Sequence, residues 1–209
     1  MSNCSTEGRV KDMDFKAPPP SPIESAKAWF DEAEKVVMTE NPLAMTLSTC
    51  LPEGNIASRI VLMKSFSEDG VLFFTNYNSD KAMEIECNNN VALLFHWDTL
   101  ARQIRIRGRA TKVAGEVSDE YFATRQRLSQ LGAWASDQSK TIECRDELMA
   151  RVSELEAKWD GEPITRPPFW GGFCVSLDSI EFWQGGDGRL HDRLFYSFDK
   201  EWSFTRLQP

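Results

Sequence analysis

Cationic and hydroxyl side chains recur in this sequence at spacings that could grip a small phosphate. Tyr121, Arg125 and Ser129 stand four residues apart. On a helix they would form one stripe of phenol, guanidinium and hydroxyl, a set that donates well to phosphate oxygens. The same stripe could equally be a plain solvated face. Arg59 and Lys64 bracket the run Arg59-Ile60-Val61-Leu62-Met63-Lys64. Five apart on a strand, they point to opposite faces, so they serve one pocket only through a bulge, or else serve two ligands. Gln138-Ser139 adds an amide and a hydroxyl. Towards the C-terminus, Trp183, the turn Gly185-Gly186-Asp187-Gly188 and the set Arg189, His191 and Arg193 fall close together. They could hold a flat heterocycle and its charged substituents.

Other chemistries are disfavoured. The sequence has no Gly-x-Gly-x-x-Gly after a strand, no Walker loop and no Gly-x-Ser-x-Gly elbow. The 2 histidines, His96 and His191, cannot build a multi-histidine metal centre, and no metal is expected. A Ser-His-Asp arrangement could draw on His191, yet no serine sits in a nucleophile context. The 5 cysteines (Cys4, Cys50, Cys87, Cys144 and Cys174) never occur as Cys-x-x-Cys. Their number is odd, which predicts free thiols in a reducing compartment, with Cys50 and Cys174 buried in apolar strands. A net charge of −8 repels nucleic acid and anionic membranes, so any phosphate site must be a local basic pocket. No apolar run approaches the roughly 20 residues of a membrane span, and the N-terminus lacks a signal-peptide core. A cytoplasmic protein is expected.

The elements that would position these groups follow from periodicity. With 209 residues, 41% hydrophobic, the chain supports one core. Residues 1–20 are polar, end in Pro18, Pro19 and Pro20, and predict a flexible arm, with one domain over 21–209. Ser21 and Glu24 have capping-box spacing around Pro22, and Ile23, Ala26, Phe30, Ala33 and Val37 mark one face of a helix of about four turns. Short apolar runs then predict antiparallel strands over 43–49, 56–63, 71–75, 91–97 and 103–113. In the last, Gln103, Arg105, Arg107 and Arg109 alternate with Ile104, Ile106, Gly108 and Ala110. A solvated face pairing with carboxylates across strands would account for the three arginines. Residues 117–160 read as helical, and strands return over 172–177, 180–183, 194–198 and 202–206. Strands, helices, then strands without β-α-β alternation predict an α+β fold, an antiparallel barrel with helices packed outside.

The runs RIVLMK, FFTNYNSDKA, RQIRIRG, SQLGAWAS, QS, PPFWGGF, EFWQGG and RLHDR follow one another in the order and spacing of the pyridoxine/pyridoxamine 5'-phosphate oxidase family, which this sequence resembles from about Ser21 to Pro209. The resemblance implies a Greek-key split β-barrel and a homodimer with FMN in clefts at the subunit interface. It also implies oxidation of pyridoxine or pyridoxamine 5'-phosphate to pyridoxal 5'-phosphate, with O2 reduced to H2O2. By position, the FMN contacts fall on Arg59, Ile60, Val61, Leu62 and Lys64, on Phe74, Thr75 and Lys81, on Gln103, on Gln138 and Ser139, and on Trp183 and Arg193. The substrate phosphate falls to Lys64, Tyr121, Arg125 and Ser129, and the pyridine ring to Arg189 and His191 as the catalytic pair. On this reading one of Arg59 and Lys64 serves the cofactor phosphate and the other the substrate side, and the proton acceptor is His191 or water. The sequence departs from the family at Asp80, where an arginine is usual; a carboxylate facing the FMN phosphate would repel it. Two other readings remain: a related flavin oxidase acting on a phenazine precursor, and a non-catalytic split-barrel protein that binds flavin or pyridoxal phosphate.

Overall fold

The computed structural model describes residues 13–209. The first helix, α1 (Ile23–Val36), buries Ile23, Ala26, Trp29, Phe30 and Ala33, the stripe that the apolar spacing predicts. Its start differs from expectation. Pro22 is the N-cap, Ser21 Oγ accepts the Ile23 N–H at 3.4 Å, and Glu24 pairs forward with Lys27 at 2.8 Å, so the capping box does not form. Trp29 meets the edge of Phe182 at 5.1 Å and Phe30 that of Phe95 at 4.8 Å, so α1 plugs the barrel. Truncating a buried ring of this kind costs about 3–5 kcal/mol.

Among the described residues ten antiparallel strands carry the fold: β1 (Ala44–Cys50), β2 (Ile56–Leu62), β3 (Ser65–Ser67), β4 (Gly70–Asn76), β5 (Asn90–Trp97), β6 (Arg102–Lys112), β7 (Trp170–Val175), β8 (Ser179–Gln184), β9 (Asp192–Asp199) and β10 (Glu201–Leu207). Their main order is β10-β9-β8-β6-β5-β1-β2, and β3, β4 and β7 form a second layer joined through β6. The 11-residue β6 makes the split: Arg102–Arg107 pair with β8, and Ala110–Lys112 pair with β7. Gly108 sits at the switch, where any Cβ would collide with the carbonyl of Ser176. Along β6, Ile104, Ile106 and Ala110 are buried while Arg105, Arg107 and Arg109 face outward. Arg105 pairs with Glu181 at 3.0 Å and Arg109 lies 3.9 Å from Asp178. Arg107 has no ion-pair partner among the described residues, so the cross-strand account covers two of the three arginines.

The expected helical stretch resolves into α3 (Gly115–Thr124), α4 (Arg127–Ala135) and α5 (Arg145–Trp159), packed over a second core of Phe122, Leu131, Ile164 and Trp170. The helix α2 (Asp80–Cys87) and the strand β3 lie in segments that periodicity leaves blank, because α2 buries only Ala82 and Ile85 and β3 has three residues. Residues 13–20, the end of the expected arm, lie against the core. Met13 is buried, Phe15 meets Trp29, and Pro19 O accepts the Tyr196 hydroxyl at 2.9 Å. The rest of the expected arm, with Cys4, lies outside the described residues. Cys50 and Cys174 are half-buried rather than buried, and both are free thiols, as are Cys87 and Cys144. Among the described residues no helix is long and apolar enough to cross a membrane, and no group of three or more His, Cys, Asp or Glu is placed to hold a metal ion.

Candidate functional site

A cavity of about 680 Å³ opens where β2 and β4 meet the helical layer. The edge strand β2 and the residues after it contribute Ile60, Val61, Leu62 and Lys64. The strand β4 contributes Phe74 and Thr75, and α2 contributes Lys81. Tyr121, Arg125, Ser129 and Gln138 close the far side. Eleven of the residues expected at a site therefore line one space, which falls in the size range of small-molecule pockets.

Tyr121, Arg125 and Ser129 reach it by a route that their spacing does not predict. They are not one helical stripe, since α3 ends at Thr124, and Arg125 and Gln126 take extended ψ values of 147° and 140° before α4 begins. The chain bends there, so phenol, guanidinium and hydroxyl converge from two helices and the joint between them. The Tyr121 ring stacks on Phe74 at 4.1 Å, Phe74 stacks on Trp170 at 5.4 Å, and Lys64 Nζ stands 5.6 Å over Tyr121. The Arg125 guanidinium lies 4.7 Å over Trp170, and its Nη1 is buried without a partner among the described residues. Burial holds the Arg125 pKa below its ordinary value, with Tyr121 pulling the other way. A desolvated, unpartnered guanidinium donor in a cavity is a strong demand for an anionic oxygen.

At the other end, Gln138 Oε1 accepts from Lys81 Nζ at 2.8 Å and from Thr75 Oγ1 at 3.3 Å, and Ser79 Oγ takes a second Lys81 donor at 3.1 Å. Burial, more than the neighbouring Arg59 cation, lowers the Lys81 pKa. Ser139 has φ 72° and is exposed outside the wall; its Oγ accepts the Asp80 N–H at 3.2 Å. Asp80 is also exposed and off the wall, in the first turn of α2, where a negative charge suits the helix dipole. Arg59 does not line the cavity either: its Nη2 donates to Glu84 Oε2 at 2.6 Å and its Nη1 to Thr49 Oγ1 at 2.6 Å.

The remaining expected residues form a separate cluster. Strand register sets His96, Gln103, Trp183 and Arg193 in one row across β5, β6, β8 and β9. A parallel row runs Ile60, Thr46, Leu94, Arg105, Glu181. Directly paired residues share a face, so Gln103, Trp183 and Arg193 lie on the same outer face as Ile60. Four strand spacings, roughly 19 Å along the sheet, separate β8 from β2. Arg193 is held by Glu181 Oε1 through Nε at 2.9 Å and Nη2 at 2.7 Å. Arg189 has φ 64°, a left-handed conformation that costs a non-glycine residue about 1 kcal/mol or more. His191 lies 4.5 Å from the Trp183 ring, and its Nδ1 accepts the Gly186 N–H at 3.2 Å. That bond leaves the proton of a neutral ring on Nε2. None of these five residues lines the cavity.

Asn76, Gln126, Ser136 and Trp170 also line it, outside the set that the sequence predicts. Trp170 stood within PPFWGGF; nothing marked Gln126 except its place beside Arg125.

Residues 31–159 match the family described as pyridoxamine 5'-phosphate oxidase, and residues 170–209 match the pyridoxine 5'-phosphate oxidase C-terminal dimerisation region. The chain is 51% identical over 191 residues, 91% of its length and 88% of the other's, to a pyridoxine/pyridoxamine 5'-phosphate oxidase of Rubrobacter xylanophilus. It is 48% identical over 190 residues to a protein of the same name from Cupriavidus pinatubonensis, covering 90% of this chain and 89% of that one. Among solved structures, PhzG from Burkholderia lata 383, in complex with tetrahydrophenazine-1-carboxylic acid, superposes with a TM-score of 0.88 at 32% identity, over 93% of this chain and 96% of that one. A pyridoxamine 5'-phosphate oxidase-related, FMN binding protein from Nostoc punctiforme shares the fold, with a TM-score of 0.71 at 17% identity over 90% of this chain and 98% of that one. Both segments of one family thus follow in order along a split barrel of that family's kind, and the chain belongs to the pyridoxamine 5'-phosphate oxidase family.

Proposed function

We propose that this protein is an FMN-dependent oxidase converting pyridoxine 5'-phosphate or pyridoxamine 5'-phosphate to pyridoxal 5'-phosphate, and that it works as a homodimer. The observation that carries the reading is the unpartnered Arg125 Nη1, in a wall that also presents Lys64, Tyr121 and Ser129. These groups suit a phosphate monoester on a flat ring, and Lys81, Thr75 and Gln138 suit the phosphate-bearing end of FMN. When bound, FMN supplies the two-electron acceptor for the carbon that becomes the aldehyde, and O2 takes the pair as H2O2.

The residues of the chain then bind and orient. Arg125, Lys64 and Ser129 anchor the substrate phosphate, so that the ring lies in one pose over the flavin. Arg189 and His191 cover the ring's other face. With Nδ1 occupied by Gly186, His191 in its neutral form meets the substrate as an Nε2–H donor, which favours water as the proton acceptor.

Arg189, His191, Trp183, Gln103 and Arg193 come from a second copy of the chain. Three facts support this. Gln103, Trp183 and Arg193 share an outer face with β2 yet stand several strands away, and Arg189 and His191 lie in the segment joining β8 to β9. The strands between them present Thr46, Ser48, Ala92 and Leu94, small or apolar groups that allow a second copy close. Residues 170–209 match the family's dimerisation region. A two-fold axis near β1 and β5 would lay β2 of one copy against β6 and β8 of its partner.

The test is an absorption spectrum of the purified protein, followed by oxygen uptake with pyridoxamine 5'-phosphate. A flavin spectrum and uptake are expected; a colourless protein that takes up no FMN and turns over no substrate contradicts the reading. The structural likeness to PhzG keeps a phenazine-precursor oxidase as a second reading. Preference for an unphosphorylated tricyclic acid over the B6 phosphates would favour it.

A further inference from the structure

Arg125 reaches the cavity without a carboxylate to hold it. Arg59, Arg102, Arg166 and Arg193 are largely buried as well, and each donates to an acid at 2.6–2.7 Å. Among the described residues no acid forms an ion pair with Arg125, whose guanidinium lies over two ring faces instead, Trp170 at 4.7 Å and Phe122 at 5.6 Å. A carboxylate in that place would offset the charge and occupy the donors. A ring face attracts a cation through its quadrupole and does neither, so Nη1 stays buried and unpartnered. Trp170, 6% exposed, is itself fixed from several directions. Its backbone pairs with Asn76 across β4 and β7, and its carbonyl accepts Arg166 Nη1 at 2.6 Å, while Arg166 Nε is tied to Asp119 at 2.7 Å. Phe74 stands opposite Gly172, where any Cβ would come within 2.9 Å of its ring, so the glycine leaves that ring room to stack on Trp170 with 7° between the planes.

We propose that Trp170 is a positioning residue for recognition of the substrate phosphate: its indole face holds the Arg125 guanidinium at the cavity with its charge intact and a donor left for the phosphate. The proposal rests on the substrate reading above. Trp170 acts through Arg125, and an indole is the best of the aromatic faces for a cation. Phe122 lies farther from the guanidinium and contributes less.

The experiment is steady-state oxygen uptake with pyridoxamine 5'-phosphate on the FMN-loaded full chain, run as a double-mutant cycle of wild type, Trp170→Leu, Arg125→Ala and the double variant, with Trp170→Phe taken through the same cycle. Trp170→Leu is expected to raise KM about tenfold with kcat within about twofold. In the Arg125→Ala background the same substitution should move KM less than about twofold, because the cation on which the indole acts is gone. Trp170→Phe keeps a weaker ring face and should raise KM about two- to threefold, with the same dependence on Arg125. A role in packing alone would change KM or kcat by the same factor in both backgrounds. That outcome overturns the proposal, as does an unchanged KM in Trp170→Leu. Where Trp170→Leu does not fold with FMN bound, the Trp170→Phe cycle decides: a KM that is unchanged, or raised equally in both backgrounds, overturns the proposal. Wild-type protein that binds FMN yet turns over no pyridoxamine 5'-phosphate overturns the substrate reading itself.

Discussion

The cavity beside β2 and the row across β6, β8 and β9 hold chemically similar groups in opposite states. In the cavity, Arg125 is desolvated and one of its donors is idle, Lys81 is held below its ordinary pKa chiefly by burial, and three rings stack into a wall. In the row and the turn beside it, Arg193 is matched to Glu181, His191 is tied to a backbone N–H, and Arg189 is exposed at the tip of a left-handed turn. The first region is poised for a ligand, and the second is satisfied within its own chain but faces outward. A site built from both needs a second copy, since one sheet cannot bring its own two ends together on one face. The orphaned donor and the strained turn lie in different regions; the function proposed above divides anchoring and ring coverage between subunits.

The largest expected effect comes from keeping the two regions apart. Leu94 lies midway along the shared outer face, and Leu94→Arg places a charge where a second copy is proposed to dock. An unpaired charge buried in an interface costs about 3–5 kcal/mol. Sedimentation should show monomers, and flavin should be lost with the dimer; a flavin-loaded monomer would break the comparison. Next, Arg125→Ala should raise the KM for pyridoxamine 5'-phosphate by about tenfold to a hundredfold, the worth of one charged hydrogen bond, while FMN stays bound. Oxygen-uptake kinetics beside a flavin titration check it. Arg189→Ala should lower turnover or raise KM about tenfold, again with FMN retained. Loss of flavin instead would place Arg189 on the cofactor.

The smallest effect lies away from both regions and serves as a control. Burial pushes the Tyr196 hydroxyl up to about 12. A phenol whose pKa is raised on folding contributes stability that is full below its unfolded value near 10 and is lost as pH rises through about 12. Thermal unfolding should therefore show a midpoint falling above about pH 10, and Tyr196→Phe should flatten that fall. The substitution also removes the bond to Pro19 O, for a loss of about 1 kcal/mol at neutral pH.

The sequence makes α1 and β6 legible because each buries a long face with an unbroken period: Trp29, Phe30 and Ala33 on one, Ile104, Ile106 and Ala110 on the other. It leaves α2 and β3 illegible because neither buries enough to impose a period. The break at Arg125 and Gln126 has no proline or glycine to announce it, so the four-residue spacing of Tyr121, Arg125 and Ser129 suggested one helix where tertiary packing makes two. The three residues still converge, for a different reason than their spacing gave. Arg59 shows what spacing leaves out: the block RIVLMK places it along the chain, but its ion-pair partner, Glu84, lies 25 residues on. The exposed place of Asp80 is likewise a fact of packing, which a substitution seen in sequence cannot supply.

The division of one site between two chains is tested most directly by mixing Arg125→Ala and Arg189→Ala proteins, each impaired alone, and allowing the subunits to exchange. Each mixed dimer would then hold one site with both arginines and one with neither. Half of the dimers at equilibrium are mixed, so oxygen uptake with pyridoxamine 5'-phosphate should recover to about a quarter of the wild-type rate. Activity that stays at the mean of the two parent proteins would show that one chain supplies both arginines to its own site, and would contradict the account.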